Sequence, residues 1–217
     1  MRLSILDPAD FKFLSGDDSC AHYGEYTSGG GFGASETNQQ IFNLKKSPTA
    51  SAAQLHWKLR AVSYWGEVIL TSAGLNLDVC ATDVTFVPIP CSKPVGHPEY
   101  DDRMLQVMRY VAQRKPGIDV RPLLVQSAVR DAQHHGNRSD PTGLAATLQL
   151  DRAYLQAPLR PYVIVVDDVI TRGASFAAAK SVLSGLPGVQ AIHGMFLAKT
   201  VHAPIEWPDL DDDEDAL

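Results

Sequence analysis

From residue 67 onward the chain is punctuated by short apolar runs: VIL (68–70), VTFVPIP (84–90), VRPLLV (120–125), YVIVV (162–166) and VQAIHGMFLA (189–198). A strand with one wet face alternates apolar and polar residues, whereas a strand without strict alternation is covered on both faces. Double coverage is the condition of a strand in a parallel sheet between layers of helices. The stretches between the runs fit that arrangement, since YDDRMLQVMRYVAQ (100–113) and ASFAAAKSVLSGL (174–186) carry apolar residues at helical spacing. The pattern predicts an α/β chain with a mainly parallel sheet flanked by helices. Asp101 and Asp102 are expected to cap the 100–113 helix.

Ahead of these runs the sequence changes character. The first forty or so residues are polar and glycine-rich, SGGGFGASETNQQ (28–40) above all, and read as loops or a hairpin over a core. A helix is expected from Ser47, with Pro48 at its first position, through AAQLHWKLRAVSYW to a stop near Gly66, with Leu55, Leu59 and Val62 on one face. At 217 residues and 45% hydrophobic, the chain is long enough to bury one substantial core. The acidic run DLDDDED (209–215) by itself accounts for the formal net charge of -6, so the remainder is close to neutral. Such a run is expected to be a solvated terminus, with a docking tail for a basic protein partner as the alternative. Cys20, Cys80 and Cys91 are odd in number and form no CxxC pair, which suggests neither a disulfide framework nor a zinc site. No apolar stretch of signal-peptide or membrane-spanning length is present, so the expectation is a cytoplasmic protein without membrane contact.

VIVVDDVITRGASF (163–176) carries the chemistry. A hydrophobic strand runs into Asp167 and Asp168, and the carboxyl ends of parallel strands are where open sheets hold ligands. Carboxylates only accept hydrogen bonds, and sugar hydroxyls are natural donors to them. The following TRGAS (171–175) supplies two hydroxyls, a glycine for a tight turn and the amino end of a helix beginning near Ala174, where free N–H groups and the helix dipole favour a phosphate. Carboxylates for a ribose beside a nest for its phosphate describe a ribose 5-phosphate pocket. A blander role suits the same acids, ending a strand and capping the next helix. No GxxxxGK[ST] is present, and SGGGFG lacks both the lysine and a preceding strand, which excludes a Walker-type site; a Rossmann fingerprint fails in the same way.

VIVVDDVITRGAS resembles the phosphoribosyl diphosphate (PRPP) signature of type I phosphoribosyltransferases, and the similarity to their ComF-like branch extends over Val84 to Thr200. FVPIPCSKP (86–94) is similar to the first strand and pyrophosphate loop, residues 123–151 to a basic hood segment, and MFLAKT (195–200) to the closing strand. The resemblance implies a division into an amino-terminal accessory or hood region (1–83), a transferase-like core (84–200) and an acidic tail (201–217). It implies that Asp167 and Asp168 hold the ribose hydroxyls directly or through the magnesium (Mg2+) carried by PRPP. Thr171, Arg172, Gly173, Ala174 and Ser175 would surround the 5-phosphate, and Ser92, Lys93 and Arg103 the pyrophosphate, with Arg130 closing over it. Turnover would then involve Asp167, Asp168, Thr171, Lys93 and Arg130. Arg172 departs from the family pattern, which has a small hydroxyl residue there, and Ser175 replaces the usual threonine.

The activity so implied is transfer of a ribose 5-phosphate group from PRPP to a nitrogen acceptor with release of pyrophosphate. The alternative is a non-catalytic module that senses PRPP or a nucleotide and acts on a protein or nucleic-acid partner. His134 and His135, within the loop-like AQHHGNRSDPTG (132–143), are better suited to solvent than to acid–base work. Tyr23, Tyr26 and Phe42 suit stacking on a base or a place in the core, and the segments 19–26 and 37–46 are candidates for the acceptor hood. Arg114, Lys115, Arg121, Arg130 and Arg138 make a basic middle, little support for a nucleic-acid partner in an acidic chain. A homodimer is left open, and the acceptor is not legible.

Overall fold

The computed structural model describes residues 1–128 and 140–203. In chain order the elements are β1 (Ser4–Ile5), β2 (Cys20–Ser28), α1 (Glu36–Leu44), α2 (Ala52–Thr71), α3 (Leu77–Asp83), β3 (Val84–Pro88), α4 (Arg103–Arg114), β4 (Asp119–Val120), β5 (Leu124–Gln126), α5 (Pro141–Ala145), β6 (Leu148–Leu150), β7 (Tyr162–Ile170), α6 (Ala174–Leu183) and β8 (Ala191–His202). Six strands form one sheet in the order β1-β2-β8-β7-β3-β4, while β5 and β6 make a separate antiparallel pair. Every pairing in the larger sheet is parallel except that of β1 with β2. The chain is therefore α/β with a mainly parallel sheet, as its apolar runs predict.

The amino-terminal segment is part of this sheet. Strand β2 pairs with β8 from Cys20↔Gly194 to Ser28↔His202, so a division at residue 83 does not separate the sheet from an accessory region. The VIL run is not a strand. Val68 and Ile69 continue the buried stripe of α2 that begins with Lys58, Ala61, Val62 and Trp65, a helical repeat that carries the helix past Gly66 to Thr71. Gly66 does not stop the helix because it is a packing site: a Cβ there would lie 2.2 Å from Cδ1 of Tyr110 on α4. The helix also starts later than expected, with Ser51 as its cap, while the Ser47 hydroxyl accepts from Thr49 N–H in the preceding turn. Leu59 is 61% exposed, so the apolar face is not the one inferred from Leu55, Leu59 and Val62. VRPLLV is divided: Arg121 N–H still bonds Phe86 O in line with β4, but the Leu123 N–H turns back to Arg121 O at 2.8 Å, and the chain leaves for the β5–β6 pair.

Strands β3 and β7 are neighbours near the centre of the sheet. The chain leaves β3 through α4 for β4 on one side and leaves β7 through α6 for β8 on the other, and connections of one hand then put α4 and α6 on opposite faces. Two core clusters match this. Trp65, Ile69 and Met108 fill one together with Ile41 and Leu44 of α1, and Phe176, Leu183 and Phe196 fill the other. Each such fully buried side chain contributes about 1.5–3 kcal/mol. Strand β7 feeds both by turns, with Val163 and Val165 in the α6 cluster and Ile164 and Val166 against the α2/α4 cluster. No helix among the described residues is long and apolar enough to cross a membrane.

Candidate functional site

Strand β7 does not end before the two acids. It runs through them to Ile170, because β8 offers a partner all the way, with Asp167 opposite Phe196 and Ile170 opposite Lys199. Inside a strand, adjacent side chains point to opposite faces, so the two acids part company. Asp168 is buried on the side of α1 and α4, where its Oδ1 lies 3.0 Å from Lys45 Nζ and its Oδ2 accepts from Arg103 Nε at 2.8 Å. Asp167 is half-buried and faces the loop that follows β7, and its Oδ1 accepts from the Asp168 N–H at 2.8 Å.

The separation gives the acids different charge states. Burial pushes the Asp168 carboxyl up, but Lys45 and Arg103 outweigh it and hold the group below its ordinary value. Among the described residues Asp167 has no such direct contact with a cation, and desolvation, with the neighbouring Asp168 carboxylate, pushes it up to about 7.

Asp168 belongs to a chain of buried charges. Arg103 also donates from Nη1 to Asp101 Oδ2 at 2.7 Å, and Asp101 Oδ2 in turn accepts from Lys58 Nζ at 2.8 Å. Lys58 is 4% exposed and spends its two other protons on Leu44 O at 2.9 Å and Lys46 O at 2.7 Å, which satisfies carbonyls at the end of α1. Lys45, the C-cap residue of α1, closes the circuit back to Asp168. Asp101 rather than Asp102 caps α4 by its side chain, through Arg103 N–H at 3.2 Å, while the Asp102 side chain meets Gln106.

On the Asp167 side, residues 169–175 border a cavity of about 390 Å³ together with Asp167, Lys45, Tyr26 and Ser28 of β2, Thr200 of β8 and Phe13. The loop is shaped by Gly173, whose φ of 82° is left-handed and which Leu14 packs against so closely that a Cβ would lie 2.7 Å from Leu14 Cδ2. Because the N-cap of α6 is glycine, no side chain caps its first turn, and the N–H groups there suit an incoming anion. Arg172 stacks its guanidinium over Phe13, 4.7 Å from the ring centroid, and its carbonyl accepts from Phe13 N–H at 3.0 Å. Thr171 and Thr200 share a hydrogen bond of 2.8 Å between their hydroxyls.

The structure thus gathers Asp167, Thr171, Arg172, Gly173, Ala174 and Ser175 around one space. It commits Asp168 and Arg103 to each other, so the guanidinium expected at the pyrophosphate is held as an ion-pair partner of the acid at the start of α4. Ser92 and Lys93 lie in the loop after β3 and do not line this cavity, and Lys93 Nζ faces Glu99 at 3.9 Å. Arg130, His134, His135, Arg138 and the acidic run 209–215 lie outside the described residues. Of the aromatic candidates, Tyr23 is core, Tyr26 lines the cavity, and Phe42 is 39% exposed with its ring centroid 6.1 Å from that of Tyr26. Sequence reasoning missed Phe13 and Lys45. For Lys45 a signal existed, the first of two lysines at the end of the 37–46 segment expected near the acceptor; for Phe13 there was none. A scan of protein-family models and a search of curated proteins give no match to this chain.

Proposed function

We propose that the cavity binds PRPP and that the protein transfers its ribose 5-phosphate group to a nitrogen acceptor, releasing pyrophosphate. The observation that carries the reading is the coincidence, in one cavity at the carboxyl end of β7, of a carboxylic acid with an uncapped helix amino end behind a left-handed glycine. The 5-phosphate lies against Thr171–Ser175, with Arg172 adding a charge-assisted contact, and Asp167 lies by the ribose hydroxyls. In the transfer the acceptor nitrogen supplies the electron pair of the new N–C bond at the anomeric carbon. The bond to the diphosphate oxygen breaks, and pyrophosphate leaves with its electrons.

Magnesium fits this site only in part. No cluster of three or more His, Cys, Asp or Glu side chains suited to a metal occurs among the described residues, and both Asp168 oxygens are held by cations. Asp167 is the acid of the pair that borders the cavity, so it is the group toward which an ion carried on the diphosphate would be turned. The ion would neutralise charge on the leaving group.

A second reading, a module that binds PRPP without turning it over, is favoured by the position of Lys93, which faces Glu99 and stands outside the lining of the cavity. Calorimetric titration with PRPP, with and without magnesium, followed by a screen of nitrogen acceptors for pyrophosphate release, separates the readings. Binding that Asp167→Asn weakens, together with release, supports transfer. Binding without release across acceptor classes favours the sensor, and absence of binding removes both.

A further inference from the structure

Asp168 holds two cations, and they are not held alike. Arg103 has a 23% exposed side chain and is gripped by two carboxylates, Asp168 at 2.8 Å and Asp101 at 2.7 Å, the second of which is itself fixed by Lys58. The Lys45 side chain is 40% exposed, has Asp168 as its ion-pair partner at 3.0 Å, and borders the cavity. Its backbone is fixed nonetheless, because Lys58 holds the carbonyls of Leu44 and Lys46 on either side of it. A flexible side chain on a fixed base, carrying a charge toward a cavity, is free to exchange one anion for another. The exchange does not strand a buried charge, since Arg103 still neutralises Asp168 when Lys45 leaves.

Arg172 and Lys45 are the two basic residues that border the cavity among the described residues, and they come from different elements. Arg172 sits in the loop at the head of α6, beside the place for a terminal phosphate. Lys45 comes from the end of α1 and reaches Asp168 on the far face of β7. A ligand that satisfies both carries two separate anionic groups, one for the loop and one for Lys45.

We propose that Lys45 is a binding and specificity residue of the cavity: it leaves Asp168 for the diphosphate of the ligand and so selects a sugar phosphate carrying a second anionic group over one carrying the 5-phosphate alone. The proposal rests on the reading of the cavity as a PRPP site. The test compares binding of PRPP and of ribose 5-phosphate to the wild-type protein and to Lys45→Met and Lys45→Arg, by calorimetry in magnesium buffer. Loss of one charge-assisted contact predicts PRPP binding weaker by about tenfold to a hundredfold in Lys45→Met, with ribose 5-phosphate changed by less than about threefold and Lys45→Arg retaining most of the preference. A second measurement needs no variant: acylation of Lys45 in the wild-type protein, followed by mass spectrometry, is slowed by PRPP and not by ribose 5-phosphate. If wild-type protein binds PRPP but Lys45→Met binds it equally well, or Lys45 is acylated at the same rate with and without PRPP, the role of Lys45 is refuted while the PRPP site stands. If wild-type protein binds neither ligand, the site itself is refuted and Lys45 with it.

Discussion

Replacing Lys58 by methionine tests whether the circuit of charges behind the site holds the structure together. Methionine keeps the stem that packs in α2 and removes an ammonium whose three protons are all used, on Asp101 at 2.8 Å, Leu44 O at 2.9 Å and Lys46 O at 2.7 Å. Taking one partner from a buried ion pair typically costs about 3–5 kcal/mol. Two features moderate the loss. Arg103 continues to neutralise Asp101, and burial depresses the Lys58 pKa despite the attraction of Asp101, so part of the interaction already offsets desolvation. Against these stand two helix-end carbonyls left without the donor, each costing about 1 kcal/mol or more if water does not reach it. The expected net is a loss of about 3 kcal/mol, read as a lower urea midpoint at constant slope near neutral pH. A loss below about 1 kcal/mol would mean that the circuit is a solvated surface network of little energetic consequence and would refute the reasoning.

Gly173→Ala forces a residue with a Cβ to a φ of 82° and sets that Cβ 2.7 Å from Leu14 Cδ2; the strain should lower stability by about 1–2 kcal/mol and weaken PRPP binding in calorimetry. An unchanged protein would show that the turn does not need its glycine. Asp167 has its folded-state pKa raised from 3.8 to about 7, so the native protein keeps a proton that the unfolded chain releases, and its contribution to stability is complete below the lower value and fades as pH rises through the upper. Urea midpoints should therefore fall between these pH values in the wild type and fall less steeply in Asp167→Asn, and parallel profiles would place Asp167 in open solvent.

The sequence carried the sheet where the signal was local and lost it where tertiary contact decided. Consecutive valines and isoleucines in β7 announce a doubly covered strand without help from any other part of the chain. CAHYGEYTS announces nothing of the kind, because β2 is made a strand by its parallel neighbour β8, far away in sequence. VIL misleads for the opposite reason: an apolar triplet is equally good in a strand and on a helix, and the stripe shared with Trp65 and Ala61 decides. In the site, the loop 171–175 was legible because glycine, hydroxyls and a helix start are contiguous. The partners of Asp168 were not, since Lys45 and Arg103 reach it from two different helices.

The adjacency of Asp167 and Asp168 looks in the sequence like a doubly negative wall, an awkward neighbour for a phosphate. Strand alternation removes the difficulty. One acid is turned behind the sheet, where two cations hold it, and the other is left at the cavity with its pKa raised by desolvation and by the neighbouring carboxylate. Among the described residues, Arg172 and Lys45 border the cavity with it, so that cations outnumber the one acid of the lining although two carboxylates stand next to each other in the chain. A polyanion entering it meets attraction rather than repulsion, and a hydroxyl meets in Asp167 a group able both to accept and, when protonated, to donate. The strand that carries the acids through to Ile170, instead of ending before them, is what makes this division possible: in a flexible loop the two carboxylates would be free to share one face and one field.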